Sequence, residues 1–331
     1  MRLVTFVSSS GKPKAGALIA RDERIVDLQA AHRLRFGGSS KHLASVLAIA
    51  EGGANALDIA SQTAKGAQSK AADAIVRRKD VKLLAPIPQP PQMRDFLCFE
   101  KHLIQAFQAT RKVRASATAD PEAAMRDMEA KGILAIPQAW YEQPLFYKPS
   151  RLSVVGPDTD VDWPSYSERL DYELEFGFYI GKPGKDIPRE RAHEHIFGYT
   201  IFNDISARDQ QAKEMPGQLG PGKSKDFDGS NVMGPCVVTA DEIPDPNSLE
   251  MCVRVNGKEH GRGNSRDMRW KFEDLIAHVS RSETLFSGEF FGSGTVGDGC
   301  GLEHMRFLEP NDVIELEVER IGVLRTRVVR R

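Results

Sequence analysis

The chain has 331 residues, 40% hydrophobic and 27% charged, with 45 Lys and Arg against 46 Asp and Glu for a formal net charge of −1. That length suggests about two domains, with enough apolar residues for a sizeable core. Near-neutrality argues against a nucleic-acid binder that works by neutralising phosphates, and no apolar run reaches the roughly 18–20 residues of a membrane helix.

Residues 3–7, 15–20 and 24–28 are short apolar runs separated by turn residues, the pattern of a β-meander. The first of them is too short for the apolar region of a secretory signal. A helix near residues 40–50 is expected to pack on the meander. Pro86, Pro88, Pro90 and Pro91 then crowd a short run that no helix or central strand tolerates. The boundary is placed there, between a small β-rich N-terminal domain (residues 1–90) and a larger one (91–331). The second domain opens with a short strand and a helix. Asp120, Pro121 and Gly132 next supply an N-cap, a first-turn proline and a terminating glycine for another helix.

Strands dominate thereafter, at 170–180, 198–204, 236–239, 251–255 and 313–318, with Asn256-Gly257 as a hairpin signal and 270–281 as the clearest later helix. Strands outnumber helices and do not alternate with them, so the fold class is α+β, mainly β, rather than repeating βαβ. Cys98, Cys236, Cys252 and Cys300 contain no CxxC pair and are too sparse for a disulfide scaffold. A reducing, cytoplasmic setting is the expectation.

The most informative segment is Asp171 to Ile180. At the two-residue period of a strand, Tyr172, Leu174, Phe176, Phe178 and Ile180 share one face, while Glu173 and Glu175 share the other. Two adjacent carboxylates repel each other and, if partly buried, require neutralising partners, most simply a divalent cation. The competing reading is the solvated face of an edge strand, and both stay open on this segment alone. Asp204 ends the apolar run Tyr199 to Asn203, and Asp95 follows the proline run. If Asp95, Glu173, Glu175 and Asp204 converge, the all-oxygen set suits Mg²⁺, Ca²⁺ or Mn²⁺ rather than Zn²⁺ or Cu²⁺.

Asp95 with His102, the LDYELEFGFYIG strand, the GYTIFNDISARDQQ segment, GPGKSKDF and SGTVGDGCGLE together resemble the fumarylacetoacetate hydrolase family, over residues 92–318. The resemblance implies a β-roll catalytic domain behind a small β-rich N-terminal domain, a bound Mg²⁺ (or Ca²⁺ or Mn²⁺) and a homodimer. It also implies that Asp95, Glu173, Glu175 and Asp204 are the metal ligands. His102 matches the family's water-activating histidine and Glu303 the acid that orients it; an imidazole backed by a carboxylate suits general base chemistry near neutrality. Other branches place a Glu where this chain has Gln105, a departure that favours the C–C hydrolase branch. Arg208, Gln211 and Lys223 fall on oxyanion-stabilising positions, and Arg111, Tyr147 and Thr295 on substrate contacts. The activity implied is metal-dependent cleavage of a C–C bond in a β-diketone acid, fumarylacetoacetate to fumarate and acetoacetate. The alternative is a fumarylpyruvate or acylpyruvate hydrolase, or a hydratase, isomerase or decarboxylase of 2-oxo acids. The expected partner is thus a small oxo-acid substrate, with no nucleic acid and no membrane.

Three other signals compete. Gly217 to Ser224 fits the P-loop pattern, but polar residues precede it and no helical periodicity follows, so a lysine-bearing lid is the better reading. Gly292 to Gly297 fits GxGxxG and is better explained as turns, since too little chain follows for a dinucleotide fold. His193 and His195 lie in a segment that reads as a solvated helix face. Cys236 and Cys252 read as inert core, and Cys300 lies beside the proposed site.

Overall fold

In the computed structural model the described residues are 1–8 and 11–331; Ser9 and Ser10, between the first two expected strands, lie outside them. The meander forms as expected from Arg2–Val7, Pro13–Ile19 and Arg24–Asp27. These strands are not a separate sheet, because Arg2–Val7 pairs with Asn231–Thr239 and so joins a sheet of 12 strands. From that junction the order runs through Ile196–Asp204, Leu174–Ile180 and Phe290–Gly292 to Met93–Phe96 and Phe146–Tyr147. Most neighbours are antiparallel, but Phe290–Gly292 runs parallel to Met93–Phe96. A second sheet of 5 strands is built on Glu250–Val255, Val313–Val318 and Gly322–Val329. The architecture is α+β and sheet-dominated, an open roll with no closed barrel.

Two cores explain why the site is buried. On one face of the large sheet, Phe176, Phe178 and Tyr199 meet Phe272 and residues of the five-stranded sheet such as Val253 and Leu316. On the other, Tyr179, Phe197, Met233 and Val237 are covered by N-terminal helices through Leu28, Ala31, Ile49, Ala56 and Ala60. Strand Leu174–Ile180 therefore lies between two layers, and every one of its residues is buried. The solvated-edge reading of Glu173 and Glu175 is overturned: the strand is internal, with Ile196–Asp204 on one side and Phe290–Gly292 on the other.

The single helix expected near 40–50 is an underestimate. Helices span Leu28–Phe36, Val46–Glu51 and Gly53–Lys65. The first has clear end signals, an Asp27 side chain accepting from the Ala30 amide and Gly37 at φ 77° closing it. In the second half, Glu100–Ser116, Pro121–Ala130 and Phe272–Val279 form where the sequence places helices. Asn256 (φ 52°) and Gly257 (φ 76°) make the left-handed turn of the expected hairpin.

Candidate functional site

Three carboxylates converge at one end of the large sheet. Asp95, Glu175 and Asp204 present oxygens all within 4.8 Å of one another, and all three residues are buried. Register brings them together: Gly292 pairs with Asp95 on one side and Gly177 on the other, while Glu175 faces Phe202, two residues before Asp204. Gly292 is required by this approach, since a Cβ there would stand 2.4 Å from Asp95 Oδ1. Tyr147 Oη donates to Asp204 Oδ2 at 2.6 Å, and Thr295 Oγ1 donates to Glu175 Oε1 at 3.3 Å. Glu175 Oε2 and Asp204 Oδ1 are buried with no hydrogen-bond partner. Buried polar atoms are almost always satisfied. Orphaned oxygens in an all-oxygen cluster fit a hard divalent cation such as Mg²⁺, Mn²⁺ or Ca²⁺.

Electrostatics support the same fit. Burial, followed by the charge of Asp204, pushes the Asp95 carboxyl up to about 8. Burial and then Asp95 push Glu175 well above its usual range, and burial raises Asp204 to about 6 although Lys225 opposes it. Crowded acids of this kind shed their protons when a cation arrives. Glu173 behaves differently. Its burial is outweighed by Lys225 and Arg208, which hold it down at about 2. Lys225 Nζ donates to Glu173 Oε2 at 2.6 Å and to Asp204 Oδ2 at 2.5 Å, so Glu173 sits beside the trio as the partner of two cations.

The structure brings His102 and Glu303 together. His102 Nδ1 lies 2.9 Å from Glu303 Oε1, and the other Glu303 oxygen accepts from the Cys300 amide at 3.0 Å. Both carboxylate oxygens are thus engaged, and the imidazole meets Glu303 through Nδ1 rather than Nε2. Glu303 stands in the four-residue helix Gly301–His304, whose first turn is held by a buried acid that the sequence reading left unassigned. Asp171 Oδ1 accepts from the Gly301 amide at 2.7 Å and Oδ2 from the Leu302 amide at 2.9 Å. The same carboxylate receives Arg208 Nε at 2.7 Å. Arg208 Nη1 donates to Gln211 Oε1 at 3.0 Å, and Nη2 stands 2.8 Å from Glu173 Oε1 as an ion pair without hydrogen-bond alignment. Asp171 thus ties the Glu303-bearing helix to the arginine beside the carboxylates.

Two expected residues lie elsewhere. Lys223 is exposed, its Nζ 5.2 Å from the centre of the Tyr166 ring; the lysine at the carboxylates is Lys225, two positions on. Arg111 bonds the Leu134 carbonyl at 2.9 Å and ties its helix to the segment after Pro121–Ala130. Gln105 exchanges two hydrogen bonds with Asp298, at 2.5 and 3.1 Å, so its amide is committed there.

The competing motifs resolve structurally. In the P-loop-like segment the Gly222 and Ser224 amides both donate to Glu214 Oε1, at 2.8 and 3.1 Å, so a side-chain carboxylate fills the place a phosphate would take. His193 and His195 lie in a 3-10 helix, Arg189–His195. His195 corrects the solvated-face expectation: it is buried, with Nδ1 2.7 Å from the Lys182 carbonyl oxygen. Cys300 is buried beside the His102–Glu303 pair, and burial followed by the Glu303 charge raises its thiol well above the ordinary range.

A family model described as Fumarylacetoacetate (FAA) hydrolase C-terminal matches residues 110–329, and the chain belongs to that family. Asp95 and His102 precede the matched segment. The mitochondrial oxaloacetate tautomerase fahd2 of Xenopus laevis is 32% identical over 99% of this chain and 90% of its own length. The human mitochondrial oxaloacetate tautomerase FAHD2A is 38% identical over 57% of this chain and 60% of that protein. Among solved structures, a fumarylacetoacetate hydrolase from Exiguobacterium antarcticum superposes with a TM-score of 0.73 at 25% identity, covering 100% of both chains. The chain is therefore an enzyme of this superfamily. Among the described residues, no helix is long and apolar enough to cross a membrane.

Proposed function

We propose that this protein is a divalent-cation-dependent isomerase that interconverts the keto and enol forms of a small 2-oxo dicarboxylic acid, oxaloacetate being the first candidate. The observation that carries the reading is the His102–Glu303 pair, 2.9 Å apart, beside a buried trio of acids. Tautomerisation asks for just these parts: a base for the proton on the carbon next to the carbonyl, and stabilisation of the charge that develops on the oxo oxygen. The names of the frog and human relatives support this chemistry over C–C hydrolysis.

Asp95, Glu175 and Asp204, with Glu173 beside them, would hold the cation, which would supply Lewis-acid stabilisation of the developing oxyanion. Mg²⁺ is the first choice, with Mn²⁺ and Ca²⁺ compatible with the same oxygens. His102 Nε2 takes the carbon-bound proton, and the Glu303 carboxylate stabilises the imidazolium so formed. The proton reappears on oxygen, so no atom is gained or lost. Tyr147 and Thr295, whose hydroxyls already touch the trio, are proposed to contact substrate. Arg208 with Gln211 is proposed to steady charge at its edge. A homodimer remains part of the reading, and sedimentation of the metal-loaded protein tests it.

The same pair is also what a water-activating base needs, which keeps cleavage of an acylpyruvate or fumarylacetoacetate as the second reading. Proton NMR in D₂O separates the two. Isomerisation exchanges the C3 protons of oxaloacetate and leaves the carbon skeleton whole. Hydrolysis instead releases two acids from fumarylpyruvate, and decarboxylation releases CO₂. Release of two acids at a rate far above C3 exchange would sink the isomerase reading.

A further inference from the structure

Away from the carboxylates, the first strands border an open surface hollow of about 910 Å³, most of whose charged side chains are exposed. Its walls carry six bases, Arg21, Arg24, Arg77, Arg78, Lys79 and Lys82, against three acids, Asp22, Glu23 and Asp158. Two of those acids are already engaged from elsewhere: Asp22 pairs with Arg2 at 2.6 Å, and Asp158 lies 3.4 Å from Arg325. Arg77 is paired with Asp80 at 2.6 Å. Among the described residues, no carboxylate lies within ion-pair distance of Arg21, Arg24, Arg78, Lys79 or Lys82. A chain of net charge −1 thus concentrates uncompensated positive charge in one hollow.

The strand register sharpens this. Arg24 and Arg77 stand directly opposite each other in the antiparallel pair of Arg24–Asp27 with Ile75–Arg77. Like charges in that relation repel and destabilise a sheet; Asp80 offsets Arg77, which leaves Arg24 as the member of the pair with no carboxylate partner. The turn before Arg24 presents further charge, since Ala20, Arg21 and Asp22 are all left-handed, with φ of 51°, 54° and 68°. The Arg78 amide donates to the Glu23 carbonyl at 2.9 Å, which ties that turn to the opposite wall.

We infer that this hollow is a binding site for a small polyanion carrying three or more negative charges. A dicarboxylate such as the proposed substrate brings two charges, too few for five free cations. A polyphosphate or a tricarboxylate brings enough, and the arginine fork matches phosphoryl and carboxylate oxygens alike. The volume falls in the range of about 300–1,000 Å³ typical of small-molecule sites. Val81, Leu83 and Pro157 give the hollow an apolar portion against which the rest of such a ligand packs.

Titration calorimetry on the full-length, metal-free protein tests this, the cation being removed so that it cannot bridge the probe. Tripolyphosphate and citrate are the probes, at low and at physiological salt. Binding of tripolyphosphate is expected, weakening at least tenfold in the double variant Arg24→Gln, Arg77→Gln and falling as salt rises. A second pair, Lys79→Gln with Lys82→Gln, guards against a folding artefact, because both lysines are exposed. Oxo-acid turnover of the metal-loaded variants is expected to match wild type. Tighter binding of tripolyphosphate marks phosphoryl groups as the source, and tighter binding of citrate marks carboxylates; either order supports the site. Three outcomes overturn it: no heat at millimolar probe, equal affinity in wild type and both variants, or preference for a DNA duplex over both probes.

Discussion

His102 and Glu303 are 201 residues apart in the chain, yet His102 Nδ1 lies 2.9 Å from Glu303 Oε1. The short helix that carries Glu303 is anchored by Asp171, and the helix that carries His102 follows the strand that carries Asp95. His102 and its carboxylate partner are thereby held beside the carboxylate trio from two different sheets.

Replacing the base tests its role without touching the acids. His102→Gln is expected to lower kcat by about 10²–10⁴-fold, the usual range for losing a general base, with metal affinity unchanged. Glu303→Gln keeps a side chain able to meet the Cys300 amide but loses the charge. It should lower kcat more than it changes KM, as steady-state rates with oxaloacetate will show.

Gly292→Ala is a geometric test of the trio. The new Cβ would stand 2.4 Å from Asp95 Oδ1, so the carboxylate must move. Metal affinity by calorimetry should fall about 10–100-fold, on the scale seen when ligand positioning is disturbed. Circular dichroism should show the sheet retained.

Removing Lys225 strands two acids. Its Nζ bonds both Glu173 and Asp204, and all three side chains are nearly inaccessible. Lys225→Met should destabilise the metal-free protein by about 3–5 kcal/mol in urea unfolding, the range for breaking a buried ion pair from one side. Added Mg²⁺ should restore part of that loss.

The pH dependence has an unusual sign. Asp95 is raised from 3.8 to about 8 and Asp204 from 3.8 to about 6, so between these limits the folded metal-free chain holds more protons than the unfolded chain. Their contribution to stability is therefore fully present below about pH 4 and is lost as pH rises toward 8. Glu173, held at about 2 against an ordinary 4.5, acts in the opposite sense between those two values, below pH 5. Thermal unfolding in EDTA should show Tm falling from pH 5 to pH 8, and the rise in Tm on adding Mg²⁺ should grow over the same interval.

Much of this site is legible in the sequence because strand periodicity separates Glu173 and Glu175 from the apolar residues that alternate with them, and because Asp204 ends an apolar run. Periodicity says nothing about what covers the second face, where Glu175 is buried among Asp95, Asp204 and Thr295. The Gly53–Lys65 helix is hard to read because it begins at Gly52-Gly53 with no side-chain cap to mark its start. The Leu28–Phe36 helix, by contrast, has its N-cap at Asp27 and its closing glycine at Gly37 in plain view. Lys223 and Lys225 differ by two positions in one glycine-rich loop, where no period applies, so only the fold tells which is buried. Asp171 had no signal of its own, since its partners are backbone amides 130 and 131 residues away.

The most direct test of the central claim is the decay of the oxaloacetate enol, followed by its ultraviolet absorbance, with Mg²⁺-loaded protein and with buffered Mg²⁺ alone. The account predicts a saturable acceleration that disappears in EDTA and in both His102→Gln and Asp204→Asn. A rate with loaded wild-type protein no greater than that of the buffered ion, or one undiminished in His102→Gln, would contradict it.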